Sequence, residues 1–589
     1  MTSVDEIFKK SGVVSKRKLD SVRDPNEIYK SAKTSSNGAS RHTSAADEDE
    51  EMEAGPTLPP DDGEDEQDFG PEMLPDNDDD DEEGRFFGGG VTKQEYKILD
   101  YVEGADTGRA EDKIDVGWLR KTALNFEKRI SKNAEMRAKF ESEPQKFIGS
   151  EGDLDADIKA LSVLSEHPEL FVEFVRLGCA NSLVGLLAHE NTDIAIDAIE
   201  VIGELIDEDV AAKDHQWNTL VDALIDADLP GLIVSNLSRL DESDESDRNG
   251  VYYALGIVES LCSRTPVAIR VGDSEELLRW LLSRIQRTEA TVTQNKQYSA
   301  EILAILSQAS QETRRGLIQL DAIDLMLQLI SSYRKRDPEK GGEEEEYMEN
   351  IFEALTCLVD EVEGKVKFVE AEGVELCLLM LKEGKMSKGP ALRLLDHAAA
   401  GNLAGQVCQK IVQAGGLKST FTLFIKTHDR RLLSRLVAIF ASMLRLLPAT
   451  SAERIRTLAK FVEKDYEKVT KLMTLRRDYS ARVKQVEQAN EAEQQGASEE
   501  EADELQVELL SRRLEAGLFT LQTIDVIFAW LVAEDKGARR KIKQLLAERD
   551  ETLAVFHTTL SEQRDGLDTS EEDGQDMKEM LGTLLEFLQ

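Results

Sequence analysis

The feature that most constrains the fold of this chain is an internal repeat with six copies. Each copy begins with a short segment and continues with a longer amphipathic helix. In the short segment a small or polar residue, and often a glycine, precedes an apolar run. One apolar position per copy is equivalent, and successive positions are 49, 45, 46, 51 and 43 residues apart. These positions are Leu183, Leu232, Leu277, Ile323, Val374 and Leu417. Such a period predicts stacked units, because one unit alone cannot bury its apolar face.

The pattern of apolar residues is helical from about residue 112 onward, and no alternating strand pattern accompanies it. Helical repeats with a period in the forties are typical of armadillo and HEAT units. We therefore predict an all-α fold, an armadillo-type right-handed helical-repeat solenoid. Two polar inserts, 240–250 and 331–347, account for the longer intervals and should form loops.

The N-terminal region has a different composition. Between Asp47 and Glu83 there are 20 Asp or Glu and no Lys or Arg, with few large apolar residues. Such a segment cannot bury enough apolar surface to offset its chain entropy, so residues 1–110 are predicted to be disordered. Two small basic clusters, Lys9-Lys10 and Lys16-Arg17-Lys18, match a nuclear import signal, although their spacer is short for a bipartite one.

The remaining chain divides into three predicted regions. A solenoid must not expose its core at either end, so we expect a helical region before and after the repeats. The predicted regions are an N-terminal helical cap at 111–152, about six armadillo repeats at 153–448, and a C-terminal helical region at 449–589 with a mobile polar segment near 486–504.

Composition also excludes several function classes. The formal net charge of −44 opposes direct binding to duplex DNA or RNA and favours basic partners. No run of 18 apolar residues is present, so no membrane span is predicted. The first 19 residues lack the apolar core of a secretory signal. The five scattered cysteines are expected to be buried, reduced thiols of a cytosolic or nuclear protein.

No convincing catalytic motif occurs. Gly364-Lys365 and Gly384-Lys385 lack the Ser or Thr of a phosphate-binding loop, and His189-Glu190 lacks the second His of a zinc-protease helix. Neither a Gly-x-Ser-x-Gly elbow nor a Cys-x-x-Cys pair is present. The sequence therefore predicts a protein that is not an enzyme and holds no cofactor or metal.

One repeat helix, within residues 191–206, carries an apolar stripe and a second, acidic stripe whose members are 4, 3 and 4 residues apart. The third helix of an armadillo unit lines the concave surface of the solenoid. When the repeats are aligned, each of two later units adds one carboxylate to the acidic stripe of this helix. The second unit offers only Gly256 and Ser260 at these places. The predicted acidic ridge consists of Asp193, Asp197, Glu200, Glu204, Glu301 and Glu353. Its carboxylates would bind Lys or Arg side chains through charge-assisted hydrogen bonds.

Two readings of these carboxylates stay open. Most runs of charge on helices are solvated faces, which would give the ridge no ligand. The excess of 16 acidic over 3 basic residues between 193 and 248 favours a binding surface. Importin-type armadillo proteins grip basic peptides with a Trp and an Asn four residues later. None of the four tryptophans here has that context, since Thr, Val, Arg and Glu follow them at that spacing.

Several long blocks of the folded region resemble the beta-catenin-like protein 1 family of nuclear armadillo proteins. The blocks are LNFEKRISKNAEMRAKFESEPQKFIGSEGDL (124–154), LVGLLAHENTDIAIDAIEVIGELID (183–207), LVDALIDADLPGLIVSNLSRLDES (220–243), QYSAEILAILSQ (297–308), ALRLLDHA (391–398) and RRLEAGLFTLQ (512–522). The resemblance spans roughly residues 113–589. It implies N-terminal helices, about six armadillo units and a C-terminal helical region.

The resemblance also implies a function. It implies a non-enzymatic scaffold in the nucleus that associates with the spliceosome in pre-mRNA splicing through the NineTeen complex. The armadillo region would bind basic, nuclear-localisation-type segments of splicing proteins, including the Myb-domain factor of that complex. The alternatives are a transport receptor for nuclear cargo and a beta-catenin-like signalling or adhesion adaptor. RNA binding would need the basic helix at 116–140, and a homo-oligomer is left open.

Overall fold

The computed structural model describes residues 113–401, 403–494, 502–570 and 572–589. Over these ranges the chain forms 26 α-helices and five short 3₁₀ helices, without a β-strand. The predicted all-α class is therefore confirmed. The predictions for the N-terminal region 1–110, its disorder and its import signal, lie outside the described residues.

Two helices precede the repeats: α1 (Val116–Lys139) and α2 (Ile148–Ala160), which pack against each other. Asp115 caps α1, since its carboxylate accepts the backbone N–H groups of Gly117 at 2.8 Å and Trp118 at 3.0 Å. The boundary that the sequence placed after residue 152 falls inside α2, so the repeats begin later than predicted.

Eighteen helices follow as six units of three. The first three units are α3 (Phe171–Arg176), α4 (Cys179–Gly185) and α5 (Thr192–Ile206); α6 (Asp214–Asp226), α7 (Leu229–Arg239) and α8 (Glu245–Cys262); and α9 (Thr265–Gly272), α10 (Glu275–Gln286) and α11 (Gln294–Ala309). The last three units are α12 (Gln311–Gln319), α13 (Ala322–Ser331) and α14 (Glu343–Leu358); α15 (Val362–Glu370), α16 (Gly373–Glu383) and α17 (Lys388–Ala398); and α18 (Gly405–Gln413), α19 (Gly416–Lys426) and α20 (Arg430–Leu446). The third helices of successive units pack side by side, as do the second helices. This is the predicted armadillo arrangement.

The turn between the first and second helices explains the motif that repeats in the sequence. In five units one residue of this turn is left-handed, with φ between 56° and 80°. A side chain with a Cβ pays about 1–2 kcal/mol for that conformation, and glycine avoids the cost. The five residues are Gly178, Asp228, Asp321, Glu372 and Gly415.

Six helices follow the repeats. They are α21 (Ala452–Gln494), α22 (Ala502–Glu515), α23 (Leu518–Glu534), α24 (Lys536–Ala547), α25 (Ala554–Asp565) and α26 (Glu572–Phe587). α23 packs against α20 and so extends the layer of third helices. Phe440 of α20 stacks on Phe421 with ring centroids 4.1 Å apart, and Phe461 of α21 meets Phe421 edge-on at 5.0 Å. These rings join the last repeat to the C-terminal region.

α21 contains one break. Lys464, Asp465 and Tyr466 are left-handed, with φ of 54°, 52° and 62°. A side chain at Gly537 of α24 would place its Cβ 2.1 Å from the Tyr466 hydroxyl, so that glycine leaves room for the ring. α21 continues as a helix through Gln494, so the described part of the segment predicted to be mobile near 486–504 is helical.

The apolar core is one cluster that runs through the described helices. Four of the five cysteines are buried in it and Cys357 is partly exposed, and all five are free thiols. Burial raises the pKa of the Cys179 thiol to about 12, so this thiol stays protonated at neutral pH. In the described ranges no single helix is long and apolar enough to cross a membrane; the bent pairs at 168–188 and 508–534 reach that length and composition only together.

Candidate peptide-binding groove

The third helices form the layer on which the sequence placed its acidic ridge. Their solvent-facing side chains make a continuous polar strip from α5 to α20, and we name this surface the groove stripe. Contacts between neighbouring third helices position its side chains. The contacts are Ser246 to Asp193 at 3.4 Å, Tyr298 to Glu259 at 2.5 Å, Gln308 to Glu353 and Arg393 to Glu353 at 3.2 Å each, and Arg435 to the Gly389 carbonyl at 3.2 Å.

Helix α5 presents all four of its predicted carboxylates on one face. Asp193 lies exposed in the first turn, and Glu204 lies exposed near the end, where it accepts a hydrogen bond from the Ser162 hydroxyl. Asp197 and Glu200 are half-buried between them. The opposite face of α5 is buried in the core, so the helix cannot rotate to hide these acids.

Asp197 has partners that its own helix does not supply. Lys159 of α2 contacts the Asp197 carboxylate at 3.2 Å and the Asp155 carboxylate at 2.5 Å. Burial and a hydrogen bond with Asp155 raise the pKa of Asp197 to about 7, while the same bond lowers the pKa of Asp155. The two carboxyl groups therefore share one proton, because two adjacent anions would repel each other.

The substitution Asp197→Asn is expected to stabilise the protein more at pH 8 than at pH 5. Asp197 has a folded-state pKa above its unfolded value of 3.8, so its stabilising contribution is complete below pH 3.8 and is lost as pH rises through about 7. An asparagine amide keeps its hydrogen bond to Asp155 at every pH. We expect a gain of about 1 kcal/mol at pH 8, well below the full shift because Lys159 offsets the charge.

Urea midpoints at the two pH values measure this effect. Asp193→Asn is the matched control, because the exposed Asp193 contacts no carboxyl group in the described structure and its substitution should shift both midpoints alike. Equal midpoint shifts for Asp197→Asn at pH 5 and pH 8 would show that the pair holds no proton.

Three tyrosines face the acids of the groove stripe. The Tyr253 hydroxyl of α8 donates to Glu200, and the Tyr298 hydroxyl of α11 donates to Glu259 at 2.5 Å. Tyr252 lies against the Tyr298 ring with centroids 5.4 Å apart. Burial and these carboxylates raise the pKa of Tyr253 to about 12, so the phenol remains a donor at neutral pH. Glu200 of α5 and Glu259 of α8 are thus held by phenols that bring no positive charge.

These tyrosines and Glu259 are absent from the predicted ridge, because the second unit aligns there on Gly256 and Ser260. Tyr252, Gly256 and Glu259 are themselves 4 and 3 residues apart and form the same kind of stripe. That spacing was the available signal. Gly256 lies close to the Tyr298 hydroxyl, since a Cβ at residue 256 would lie 3.6 Å from that oxygen.

The two later acids of the predicted ridge differ from each other. Glu301 of α11 lies near Tyr252 and accepts a hydrogen bond from Gln297 at 3.1 Å. Glu353 of α14 forms a salt bridge with Arg393 of α17, whose side chain is 18% exposed. The described structure therefore continues the acidic surface through α11 and neutralises it at α14.

The basic helix that was the candidate for RNA binding is α1. Four of its seven cations form salt bridges with carboxylates of the folded region. These are Arg120 with Glu173, Arg129 with Asp153 and Asp157, Lys132 with Asp153, and Arg137 with Glu151 and Glu190. Those pairs compensate more than half of the cations that α1 could offer to phosphates.

The groove stripe also differs from an importin groove. Trp217 and Trp280 lie on first and second helices, where their indole N–H groups donate to the carbonyls of Ile206 and Leu237. Trp118 lies on α1 and Trp530 on α23, outside the six units. In the described solenoid, tyrosine and glutamate occupy the groove in place of a Trp and Asn array.

A model of the family described as catenin-beta-like, Arm-motif containing nuclear matches residues 96–561. The chain belongs to this family. The beta-catenin-like protein 1 homolog of Schizosaccharomyces pombe (strain 972) is 37% identical over 489 residues, covering 82% of this chain and 86% of that protein. Beta-catenin-like protein 1 of Homo sapiens is 36% identical over 463 residues, covering 76% and 82%. An engineered protein of known structure aligns with a TM-score of 0.46 and 14% identity, over 74% of this chain and 95% of its own.

The resemblance stated from the sequence blocks is therefore confirmed. Membership makes the chain an armadillo-repeat protein of a family described as nuclear. Armadillo solenoids present extended concave surfaces for binding, which fits the groove stripe on the third helices.

Proposed function

We propose that this protein is a non-enzymatic nuclear scaffold that binds Lys/Arg-rich, nuclear-localisation-type segments of splicing proteins. The observation that supports binding is the run of carboxylates on α5, α8 and α11, of which Glu200 and Glu259 accept hydrogen bonds from phenol hydroxyls. The association with the spliceosome, through the NineTeen complex and its Myb-domain factor, is supported by the resemblance of the sequence blocks alone.

The chemistry of the groove stripe suits guanidinium and ammonium groups. Glu200 and Glu204 are one helical turn apart, and their bonds to hydroxyls leave further lone pairs for a ligand cation. Charge-assisted hydrogen bonds of this kind contribute about 1.5–3 kcal/mol each. The half-buried rings of Tyr252 and Tyr253 lie beside the acids of this surface and would add cation–π attraction to a ligand cation.

Fluorescence anisotropy with the full chain and a labelled Lys/Arg-rich peptide tests the proposal. We expect saturable binding whose affinity falls at least tenfold between 50 mM and 200 mM salt, because exposed charges are screened. A peptide of the same length with each Lys and Arg replaced by Gln is the matched control and should not bind.

Two results would contradict the proposed function. One is the absence of binding by the basic peptide at low salt. The other is equal binding of the basic and Gln peptides, which would assign the affinity to backbone or apolar contacts.

A further inference from the structure

The charge of the groove stripe changes sign along the solenoid. At its N-terminal end α5 carries four acids and no cation. At its C-terminal end α20 carries Arg431 and Arg435 on the corresponding face and no acid, whereas Arg445 packs toward Met577 of α26. Between them, at α14 and α17, Glu353 and Arg393 pair and cancel. A ligand that is basic along its whole length would therefore meet repulsion beyond α17.

We propose that the α20 end of the groove binds an acidic, Asp/Glu-rich stretch of the same partner segment whose basic stretch lies on α5–α11. This inference rests on the proposed function and specifies its ligand further. The partner would carry both signs of charge in one extended segment, with the acidic stretch on Arg431 and Arg435.

The start of α20 is built in a way that favours an anion. Arg430 and Arg431 occupy the first turn of this helix, where the positive end of the helix dipole disfavours cations. Asp429 caps the helix, since one of its carboxylate oxygens accepts the backbone N–H groups of Arg431 and Leu432. The Arg431 side chain is exposed and forms no salt bridge within the described residues. A carboxylate of a bound ligand would offset the positive charge of Arg430 and Arg431 at this end of the helix.

Neighbouring groups extend the cationic end. The Ser434 hydroxyl of α20 lies 2.8 Å from the Thr520 hydroxyl of α23, and Thr520 bonds to Tyr479 of α21. Arg482 lies over the Tyr479 ring at 5.9 Å, and Arg430 lies close enough to lower the pKa of that phenol. Hydroxyl groups and arginines thus lie together where the third helices meet the C-terminal region. Asp478 beside Tyr479 and Asp396 of α17 near Arg435 are acids that oppose this positive charge.

The spacing of helices sets the length of the ligand. Five steps separate α5 from α20, and packed helices lie about 8–10 Å apart, so the two ends are about 40–50 Å apart. An extended peptide covers about 3.3–3.6 Å per residue. The ligand residue that lies over α5 and the one that lies over α20 should therefore be roughly 11–15 residues apart.

Three labelled peptides and the full chain test this inference. The first peptide carries six Lys/Arg, a neutral spacer and six Gln. The other two carry six Glu in place of the six Gln, and they differ in whether the Glu stretch follows or precedes the Lys/Arg stretch. We expect one Glu peptide to bind roughly fivefold tighter than the Gln peptide at 50 mM salt, as several exposed ion pairs would produce. Arg431→Glu should abolish that gain and leave the affinity of the Gln peptide within twofold.

Arg540→Glu on α24 is the matched control, because Arg540 is also exposed and its reversal changes the net charge equally. The gain should survive in that variant, and circular dichroism should show both variants folded. Absence of a gain in both orders, or a gain that persists in Arg431→Glu, would overturn the inference and leave the proposed function standing. Failure of the Gln peptide to bind would overturn the proposed function and this inference with it.

Discussion

Glu200→Lys combined with Glu204→Lys is expected to weaken binding of a Lys/Arg-rich peptide roughly 100-fold or more. Both carboxylates face the groove, and their partners are hydroxyls that cannot replace the lost negative charge. Losing two charge-assisted hydrogen bonds costs about 3 kcal/mol or more, and 1.4 kcal/mol corresponds to a tenfold change in affinity. The new lysines would also repel the ligand. Anisotropy at 50 mM salt measures the change.

The control for this double substitution is Glu276→Lys combined with Glu312→Lys. These two glutamates are exposed on α10 and α12, outside the layer of third helices, and their reversal changes the net charge by the same amount. The control should lower affinity only by its general electrostatic effect, about twofold. Equal losses in the two proteins would assign binding to the overall charge of −44 and not to α5.

Arg476→Ala should destabilise the C-terminal region by about 3–5 kcal/mol, because it leaves a buried carboxylate without its cation. Arg476 of α21 donates to both oxygens of Asp525 in α23, at 2.6 Å and 3.1 Å, and to the Val555 carbonyl at 3.2 Å. Asp525 is fully buried, and its burial raises the pKa of the carboxyl to about 6 despite the guanidinium.

Urea unfolding followed by circular dichroism measures this loss. The double substitution Arg476→Met with Asp525→Leu should recover much of it, since replacing both partners removes the stranded charge. Arg564→Ala, which breaks an exposed pair with Asp565, is the control and should cost under about 1 kcal/mol. If the single and double substitutions were equally unstable, packing around Arg476 would be the cause of the loss.

The architecture could be predicted from the sequence because its signals are local and repeated. Each unit carries its own apolar faces, and the turn between its first and second helices needs a left-handed residue such as Gly178 or Gly415. The first repeat boundary could not be placed, because α2 lacks a clear amphipathic pattern and so gives no local signal of where the cap ends. The break at Lys464–Tyr466 also carries no glycine or proline to reveal it.

The residues of the candidate site also divide into those that a local pattern predicts and those that it does not. The four carboxylates of α5 could be predicted because one helix fixes their common face. Tyr253, Tyr298 and Lys159 could not, because each reaches the groove from a different helix, and the register between neighbouring helices depends on packing that no local pattern records. The salt bridge that neutralises Glu353 has the same origin.

The proton shared by Asp155 and Asp197 gives the groove a thermodynamic property beyond its shape. Under the proposed function, a ligand cation placed beside Asp197 would favour the charged form of that carboxyl, so association near neutral pH would release protons to the solvent. Binding of a basic segment would then replace a proton on Asp197 with a cationic side chain of the ligand. The heat of binding consequently includes the ionisation enthalpy of the buffer, and the affinity rises as the medium becomes more alkaline across the range in which Asp197 titrates.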